Sequence, residues 1–348
     1  IEMTVEFFVK VLEIDIDRIY ASVFKGEQDI PKDNISIKAW KEVFSKYNIK
    51  ANVGRNERIQ EFGKESNWWG LATGGPCGPD SEIFFDTGKE PCGDNCNINC
   101  SCGKYLELGN NVFMEYLLQN GKYQPLGRFN VDFGGGLIRL AMICQNVSSI
   151  YETDIYKPIL EKVIDISNTD ILQSQRIIVD HIVAATWIVM DGIQPSNTMQ
   201  GYVLRRLIRR AMRHAKKLGI STPFLNIIIN VCIDQFCTVW PKLNENREHI
   251  LLTLKQEEKK FNNTLEKGLK ELERLVKQKE YILGEDIFKM YETYGLPKEV
   301  TEEILKEKNI SIRNIEGFNK AQTKHQQKSK IASQGLFKGG LADTSEMS

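Results

Sequence analysis

The chain has no long apolar run, no net charge, little histidine and no repeated block, and each absence narrows what it can be. Its most apolar stretch, Phe224 to Phe236, is interrupted by Asn226, Asn230, Asp234 and Gln235, whereas a membrane-spanning helix needs roughly 18 or more apolar residues. A membrane protein is thereby excluded, and a soluble, cytoplasmic one is expected. Lys plus Arg and Asp plus Glu both number 46, so attraction to nucleic acid has to come from local clustering of charge. The four histidines are His181, His214, His249 and His325, none near Cys77 in sequence, which makes a cysteine hydrolase a poor reading. No secretory or transit segment is present, and Ile1 already stands in a helical run, so the start of the protein is expected to lie upstream.

What is present is an ordinary globular composition, 41% hydrophobic and 26% charged over 348 residues, enough for about two domains of roughly 150 residues each. The first 150 residues read as mixed α/β. Residues 1–12 have helical spacing, 18–24 alternate as a strand, 35–47 return to a helix, and 81–86 and 108–118 read as strands. Asn130 and Asp132 alternate with Phe129, Val131 and Phe133, so both polar side chains share one face of a strand. Gly134-Gly135-Gly136 then joins that strand to a helix opening near Leu137. Beyond residue 150 the spacing is helical over 155–164, 175–190, 202–218, 224–236, 249–279 and 286–294. The stretch 249–279 is too short for a sustained coiled coil and reads as one long packed helix. The Lys-, Gln-, Ser- and Gly-rich tail reads as a linker.

Four constellations could carry chemistry. Cys92, Cys96, Cys100 and Cys102 fall within eleven residues among small, turn-prone neighbours; a structural zinc site fits this spacing better than a disulfide pair or unrelated thiols. Four thiolates would fill the metal's shell, so such a metal would hold a loop and not catalyse. The unit from Asn130 to Arg139 offers bare backbone, helix N–H groups and a guanidinium to phosphate oxygens, with Asp132 at the same mouth; the alternative is a plain strand-to-helix turn. Residues 74–82, Gly-Gly-Pro-Cys-Gly-Pro-Asp-Ser-Glu, read as a stiff loop holding a shape, or as an ordinary surface loop. Arg205, Arg206, Arg209, Arg210, Arg213, Lys216 and Lys217 put a cationic stripe on one helix. Contact with a phosphate backbone is the favoured account, pairing with acidic helices the alternative, and membrane-surface binding a weaker third.

In this order the pieces resemble the alanyl-tRNA synthetases, a family of class II aminoacyl-tRNA synthetases. The matching stretches are Asn67-Trp68-Trp69, residues 75–84, residues 106–114, residues 131–140, Gly201-Tyr202-Val203-Leu204-Arg205-Arg206 and residues 291–297. The resemblance implies ATP-dependent activation of L-alanine to alanyl-adenylate, then transfer to tRNA(Ala). It implies that Asp132 binds the alanine ammonium, that Trp69 and Val112 wall a methyl-sized pocket, and that Asn110 and Gly134 lie near the substrate carboxylate. Arg139 matches the arginine of class II motif 3 and would contact ATP together with Gly135 and Gly136, with Mg2+ accompanying the nucleotide. Asn197 matches a reader of the G·U pair in the tRNA acceptor stem, and Glu292 stands where the second reader is Asp. Arg205, Arg206, Arg209 and Arg210 would position the RNA backbone. The cysteine cluster is similar to a zinc-knuckle insert of some members.

The expected fold class is therefore α/β (α+β): part of a class II antiparallel sheet with helices, followed by an all-helical tRNA-recognition domain. The domains would be 1–150, with the zinc insert at 87–105, then 151–321, and 322–348 as a linker toward an editing domain. Ile138 and Phe133 replace the family's usual Glu and Thr, and Met199-Gln200 replaces a usual Arg. Motif 1, most of motif 2 and the editing domain have no counterpart in the chain, so weak activity of this piece by itself is expected. A noncatalytic zinc-dependent RNA-binding protein derived from a synthetase is the alternative. A nicotinamide dehydrogenase is poorly supported, because no βαβ unit with a downstream acid accompanies the glycines.

Overall fold

The computed structural model describes residues 1–27, 30–71 and 73–324. It divides into two compact units, the first ending at Ile155 and the second starting at Tyr156. No helix among the described residues is long and apolar enough to cross a membrane.

The first unit begins with α1 (Glu2–Glu6), which widens into a π-helical turn over Phe7–Val11. It continues through β1 (Ile19–Phe24), α2 (Asn34–Lys46), β2 (Ile59–Phe62), β3 (Trp68–Gly70), β4 (Gly75–Asp86), β5 (Tyr105–Gln119), β6 (Lys122–Gly135) and α3 (Leu137–Cys144). The sheet order is β2-β1-β4-β5-β6, with β3 paired to β4. In this sheet β1 and β2 run parallel, and the pairings of β1, β3, β5 and β6 with their other neighbours are antiparallel. The helical spacing at 34–46 buries Ile37, Trp40, Val43 and Phe44 against Ile19, Ala21, Val23, Ile83 and Phe85 of the sheet, with Val5 and Phe8 completing the cluster. Trp40 Nε1 donates to Ser81 Oγ at 2.7 Å, which donates to the Ser22 carbonyl at 2.7 Å. Buried indole and hydroxyl groups thus have partners, as burial of polar atoms requires.

The stretch 74–82 is not a loop. From Gly75 on it is the larger part of β4, bulged between Cys77 and Asp80. Proline and glycine hide the strand's two-residue period, yet Gly78 is needed there: a Cβ on it would stand 1.9 Å from the Phe113 carbonyl oxygen of β5.

The second unit contains α4 (Lys157–Asp165), α5 (Leu172–Met190), α6 (Met199–Lys217), α7 (Leu225–Phe236), α8 (Lys242–Glu245), α9 (Arg247–Gln278), β7 (Tyr281–Leu283), α10 (Gly284–Tyr294), α11 (Lys298–Glu307) and β8 (Ser311–Arg313). β7 and β8 form a short parallel ribbon, so the unit is not wholly helical. The long α9 buries Ile250, Leu254, Phe261, Leu265 and Leu272 along one stripe, as its spacing requires. Among the described residues a further helix runs over 316–324 and takes in the first three residues of the expected linker. The rest of that linker lies outside the described residues.

Candidate functional site

The strand register builds a polar face on the side of the sheet turned away from α1 and α2. Asp80 of β4 stands opposite Val112 of β5, which stands opposite Asp132 of β6; in the next row Glu82, Asn110 and Gly134 are opposite one another. Side chains two apart on a strand share a face, and directly opposed residues are within contact reach. Asn110, Val112, Asp132 and Gly134, singled out from the sequence, are therefore brought together. Val112 is buried, Asp132 is exposed, and a Cβ on Gly134 would meet nothing within 4 Å, so open space lies beside that backbone. Asp132 Oδ1 accepts the Phe133 N–H at 2.8 Å, which fixes the carboxylate's direction. Trp69 reaches the same sheet by pairing with Gly78, and the residue is 39% exposed.

Around this row lies a cluster that sequence reasoning did not assign. Asn67 is fully buried, and its Nδ2 donates to Ser22 Oγ at 2.7 Å and to Asp80 Oδ1 at 3.2 Å. Asn110 Nδ2 donates to Asp80 Oδ2 at 3.1 Å, and Ser22 Oγ donates to Glu82 Oε2 at 3.2 Å. Burial pushes the Asp80 carboxyl up to about 6 although both amides favour its ionised form, and nearby Glu107 raises it further. Burial, then Glu107 and Asp80, push Glu82 up to about 7. The signal was present as Asp80-Ser81-Glu82-Ile83, two carboxyls at strand spacing, but the preceding prolines and glycines masked the strand.

Arg139 sits past the end of β6 on α3. Its Nη1 donates to the Glu107 carbonyl and to Glu107 Oε2, both at 2.9 Å, with the side chains 44% and 36% exposed. Such an exposed pair contributes about 0–1 kcal/mol and yields readily to a polyanion. The Gly136 N–H is already bound to the Leu108 carbonyl at 2.9 Å. That bond closes the sheet edge and leaves the Gly136 backbone without a side chain in the way.

The four clustered cysteines do converge. Cys92 and Cys100 sulfurs are 3.4 Å apart, Cys96 and Cys102 sulfurs 3.7 Å, and all four lie within 4.8 Å of one another. A tetrahedral zinc with sulfurs at about 2.3 Å places them about 3.8 Å apart, so the donor set fits that metal. Hydrogen bonds with Cys100, Cys102 and Cys96 push the Cys92 thiol up to about 12, and a backbone hydrogen bond from Lys104 draws Cys102 down to about 7. The knuckle is anchored through Ile98, 1% exposed, and through Asn99 Nδ2, which donates to Ser66 Oγ at 2.6 Å.

In the second unit the cationic stripe of α6 meets glutamates. Arg205 and Arg209 share buried Glu257 at 3.3 and 2.6 Å; Arg206 pairs with Glu299 at 3.0 Å; Arg210 and Arg213 reach Glu303 at 3.1 and 3.2 Å. Arg213 also pairs with Glu307, as does Lys217, while Lys216 pairs with Glu266. His214, Arg210 and Arg213 hold Glu303 far below the usual carboxylate range against the upward push of its burial. Pairing with acidic helices, the alternative kept for this stripe, is thus present among the described residues. The glutamates lie on α9 and α11, distant in sequence, and charges so little exposed are kept only when paired. Asn197 and Glu292 are both exposed. Asn197 Oδ1 accepts from Arg205, and Arg209 donates to the carbonyl of Gly295, which caps α10 at φ 65°, one turn after Glu292. The Asn197 and Gly295 segments are thus tied to α6 through Arg205 and Arg209, which share Glu257 of α9.

Comparison with known proteins fits this arrangement. The family described as tRNA synthetases class II (A) matches residues 1–346. The chain belongs to that family. Among curated relatives, the Alanine--tRNA ligase of Borrelia hermsii (strain HS1 / DAH) is 43% identical over 345 residues, covering 95% of this chain and 56% of that protein. Those of Treponema pallidum (strain Nichols), 41% over 352 residues with 96% and 56% covered, and Caldicellulosiruptor saccharolyticus (strain ATCC 43494 / DSM 8903 / Tp8T 6331), 37% over 353 residues with 97% and 38% covered, are similar. The chain spans about half the length of the first two and less of the third.

Against the pattern expected of this class II family, Phe133 turns to the helix side of the sheet. Its ring lies 6.3 Å from that of Phe8, edge to face, away from the Asp132 row. Ile138 is half-buried on α3, and Met199 opens α6 at φ 48°, exposed.

Proposed function

We propose that this chain supplies part of an alanine--tRNA ligase, which joins L-alanine to tRNA(Ala) at the expense of ATP. The observation that carries this reading is the pairing of Val112 with Asp132 beside Asn110 and Gly134: a small buried apolar wall, an exposed carboxylate and open space at a glycine. That combination suits a compact zwitterion with a methyl side chain. Asp132 would hold the ammonium, Val112 and Trp69 would limit the side chain, and Asn110 and the Gly134 backbone would orient the carboxylate. Each extra methylene excluded by such a wall is worth about 1–3 kcal/mol.

ATP supplies the activated phosphate, and Mg2+ with it offsets phosphate charge. Arg139 is the side chain to bind the phosphates, exchanging its exposed pair with Glu107, whose oxygens are the hard donors that magnesium prefers. Asp132 keeps the amino acid in place while its carboxylate approaches the nucleotide. Zinc at Cys92, Cys96, Cys100 and Cys102 would have a structural role, fixing the knuckle against Gln60 and Ser66.

In the helical unit, Asn197 and Glu292 would read the acceptor-stem G·U pair. Arg206 and Arg210, each about a third exposed at 36% and 31%, would touch the RNA backbone, while Arg205 and Arg209 hold the readers in register. Glu292 is one methylene longer than the Asp of the resemblance and still ends in an acceptor for a base amino group. The test is binding to two acceptor-stem hairpins differing only by G·U or G·C, titrated over salt. A G·U preference of about 5- to 150-fold, the usual worth of one base pair, is expected. Equal, salt-sensitive binding would refute specific reading and leave a generic RNA-binding helix.

A further inference from the structure

We infer that Asp80 is a positioning residue of the alanine pocket: its ionised carboxylate clamps the Asn67 and Asn110 amides, one on each oxygen, and so fixes three strands around the substrate. The inference rests on the amino-acid-binding reading above and deepens it.

The geometry is specific. Asp80 Oδ1 takes Asn67 Nδ2 at 3.2 Å and Oδ2 takes Asn110 Nδ2 at 3.1 Å. Asn67 also donates to the Asp80 carbonyl at 3.2 Å and accepts the Asp80 N–H through its own carbonyl at 3.2 Å. Asn67 lies two residues before Trp69; Asn110 lies two before Val112, which faces Asp80 directly. One buried carboxylate, 3% exposed, therefore governs the spacing of the elements bearing Trp69, Asn110 and Val112.

An ionised carboxylate only accepts, so each amide must turn its NH2 toward it. Both amides do so although Asn67 Oδ1 and Asn110 Oδ1 are then buried with no hydrogen-bond partner among the described residues. For Asn110 the orientation is set by Asp80 Oδ2, and for Asn67 by Asp80 Oδ1 together with Ser22 Oγ and the Asp80 carbonyl. On protonation, the carboxyl becomes a donor: Asn110 gains by turning over, whereas Asn67, held by Ser22 and the Asp80 carbonyl, loses an acceptor. The charged groups around it are Glu82 beside it on β4, Glu107 on β5, Asp132 across Val112 on β6, and Arg139 of α3 on Glu107. Burial, and after it Glu107, oppose ionisation against the two amides, and the midpoint near 6 places the transition within reach of experiment.

Three proteins test this: the wild-type chain, Asp80→Asn, which keeps the shape and one acceptor, and Asp80→Ala. NMR titration with L-alanine and with 2-aminobutyrate, one methylene larger, is done well below the unfolding temperature. Wild type is expected to lose alanine affinity as pH falls through about 6, and Asp80→Asn to lose that acid limb. Asp80→Ala is expected to weaken alanine about tenfold, the scale of a lost charged hydrogen bond, and to narrow the gap to 2-aminobutyrate. A stability effect alone would not change that ratio. An acid limb unchanged in Asp80→Asn, or unchanged alanine binding in Asp80→Ala, overturns the inference.

A second readout separates the clamp from the substrate reading. In wild type the Asn67 and Asn110 side-chain amide resonances should follow a titration near 6, and in Asp80→Asn they should not. If the amides behave so while no alanine binds, the clamp stands and the amino-acid-binding reading fails. If they ignore pH, the clamp is refuted whatever binds.

Discussion

Replacing Glu257 with alanine tests whether the α6 stripe is architecture. Glu257 is 2% exposed and is shared by Arg205 and Arg209, whose side chains are 19% and 13% exposed. Arg209 receives its carboxylate through both Nε at 2.8 Å and Nη2 at 2.6 Å. Removing the acid leaves two little-exposed guanidiniums without their main counter-charge. Breaking a buried pair on one side costs about 3–5 kcal/mol. For a unit of this size each kilocalorie shifts Tm by about 2–4 °C, so Glu257→Ala should lower the transition by about 10 °C. Glu266→Ala is the control. Its pair with Lys216 is 68% and 43% exposed, and exposed pairs contribute about 0–1 kcal/mol. Urea and thermal unfolding followed by far-ultraviolet circular dichroism reads mainly helix, hence mainly the second unit. Equal effects of the two substitutions would refute the argument and return the stripe to a solvated face. Adding Arg209→Met to Glu257→Ala should recover part of the loss, because the remaining unpaired charge is then reduced.

Purified under reducing conditions, the chain should carry about one zinc, and Cys96→Ser should lose it; metal analysis that finds none in the parent would count against the site. Acidification should stabilise the first unit. Glu82 and Asp80 have folded pKa values raised to about 7 and about 6, so their favourable contribution is complete below the unfolded carboxyl range and is lost as pH rises through 6 to 7. Glu82→Gln should flatten the upper part of that dependence in a series of melting curves from pH 5 to 8. Gly78→Ala should disrupt β4–β5 pairing, since its Cβ would meet the Phe113 oxygen at 1.9 Å; a soluble variant with wild-type Tm would contradict the close approach.

Much of the fold was legible where one element carries its own pattern. The helices at 34–46, 172–190 and 247–278 show their buried stripes at helical spacing. Asn130 and Asp132 alternate as a strand should, and the glycines after them lead into α3. The four clustered cysteines needed no distant partner, since a few tight turns suffice to bring their sulfurs together. Chemistry shared between strands was less visible. Asp132 was identifiable, but the Asp80 carboxyl on the far side of Val112 in the same row was not, because Pro76, Gly78 and Pro79 concealed the strand that carries it.

The sequence by itself thus determined the local elements, the metal-type cluster and the family, because each rests on neighbouring residues or on motifs in order. Tertiary structure decided which charges meet. Arg206, Arg210 and Arg213 look like a free cationic face until α11 brings Glu299, Glu303 and Glu307 against them from 93 or 94 residues away. Asp80 and Asn110, 30 residues apart, become one hydrogen-bonded unit only through strand register. Periodicity reports which side of an element is buried; it carries no information on what the opposite side will face, and that depends on packing between elements distant in the chain.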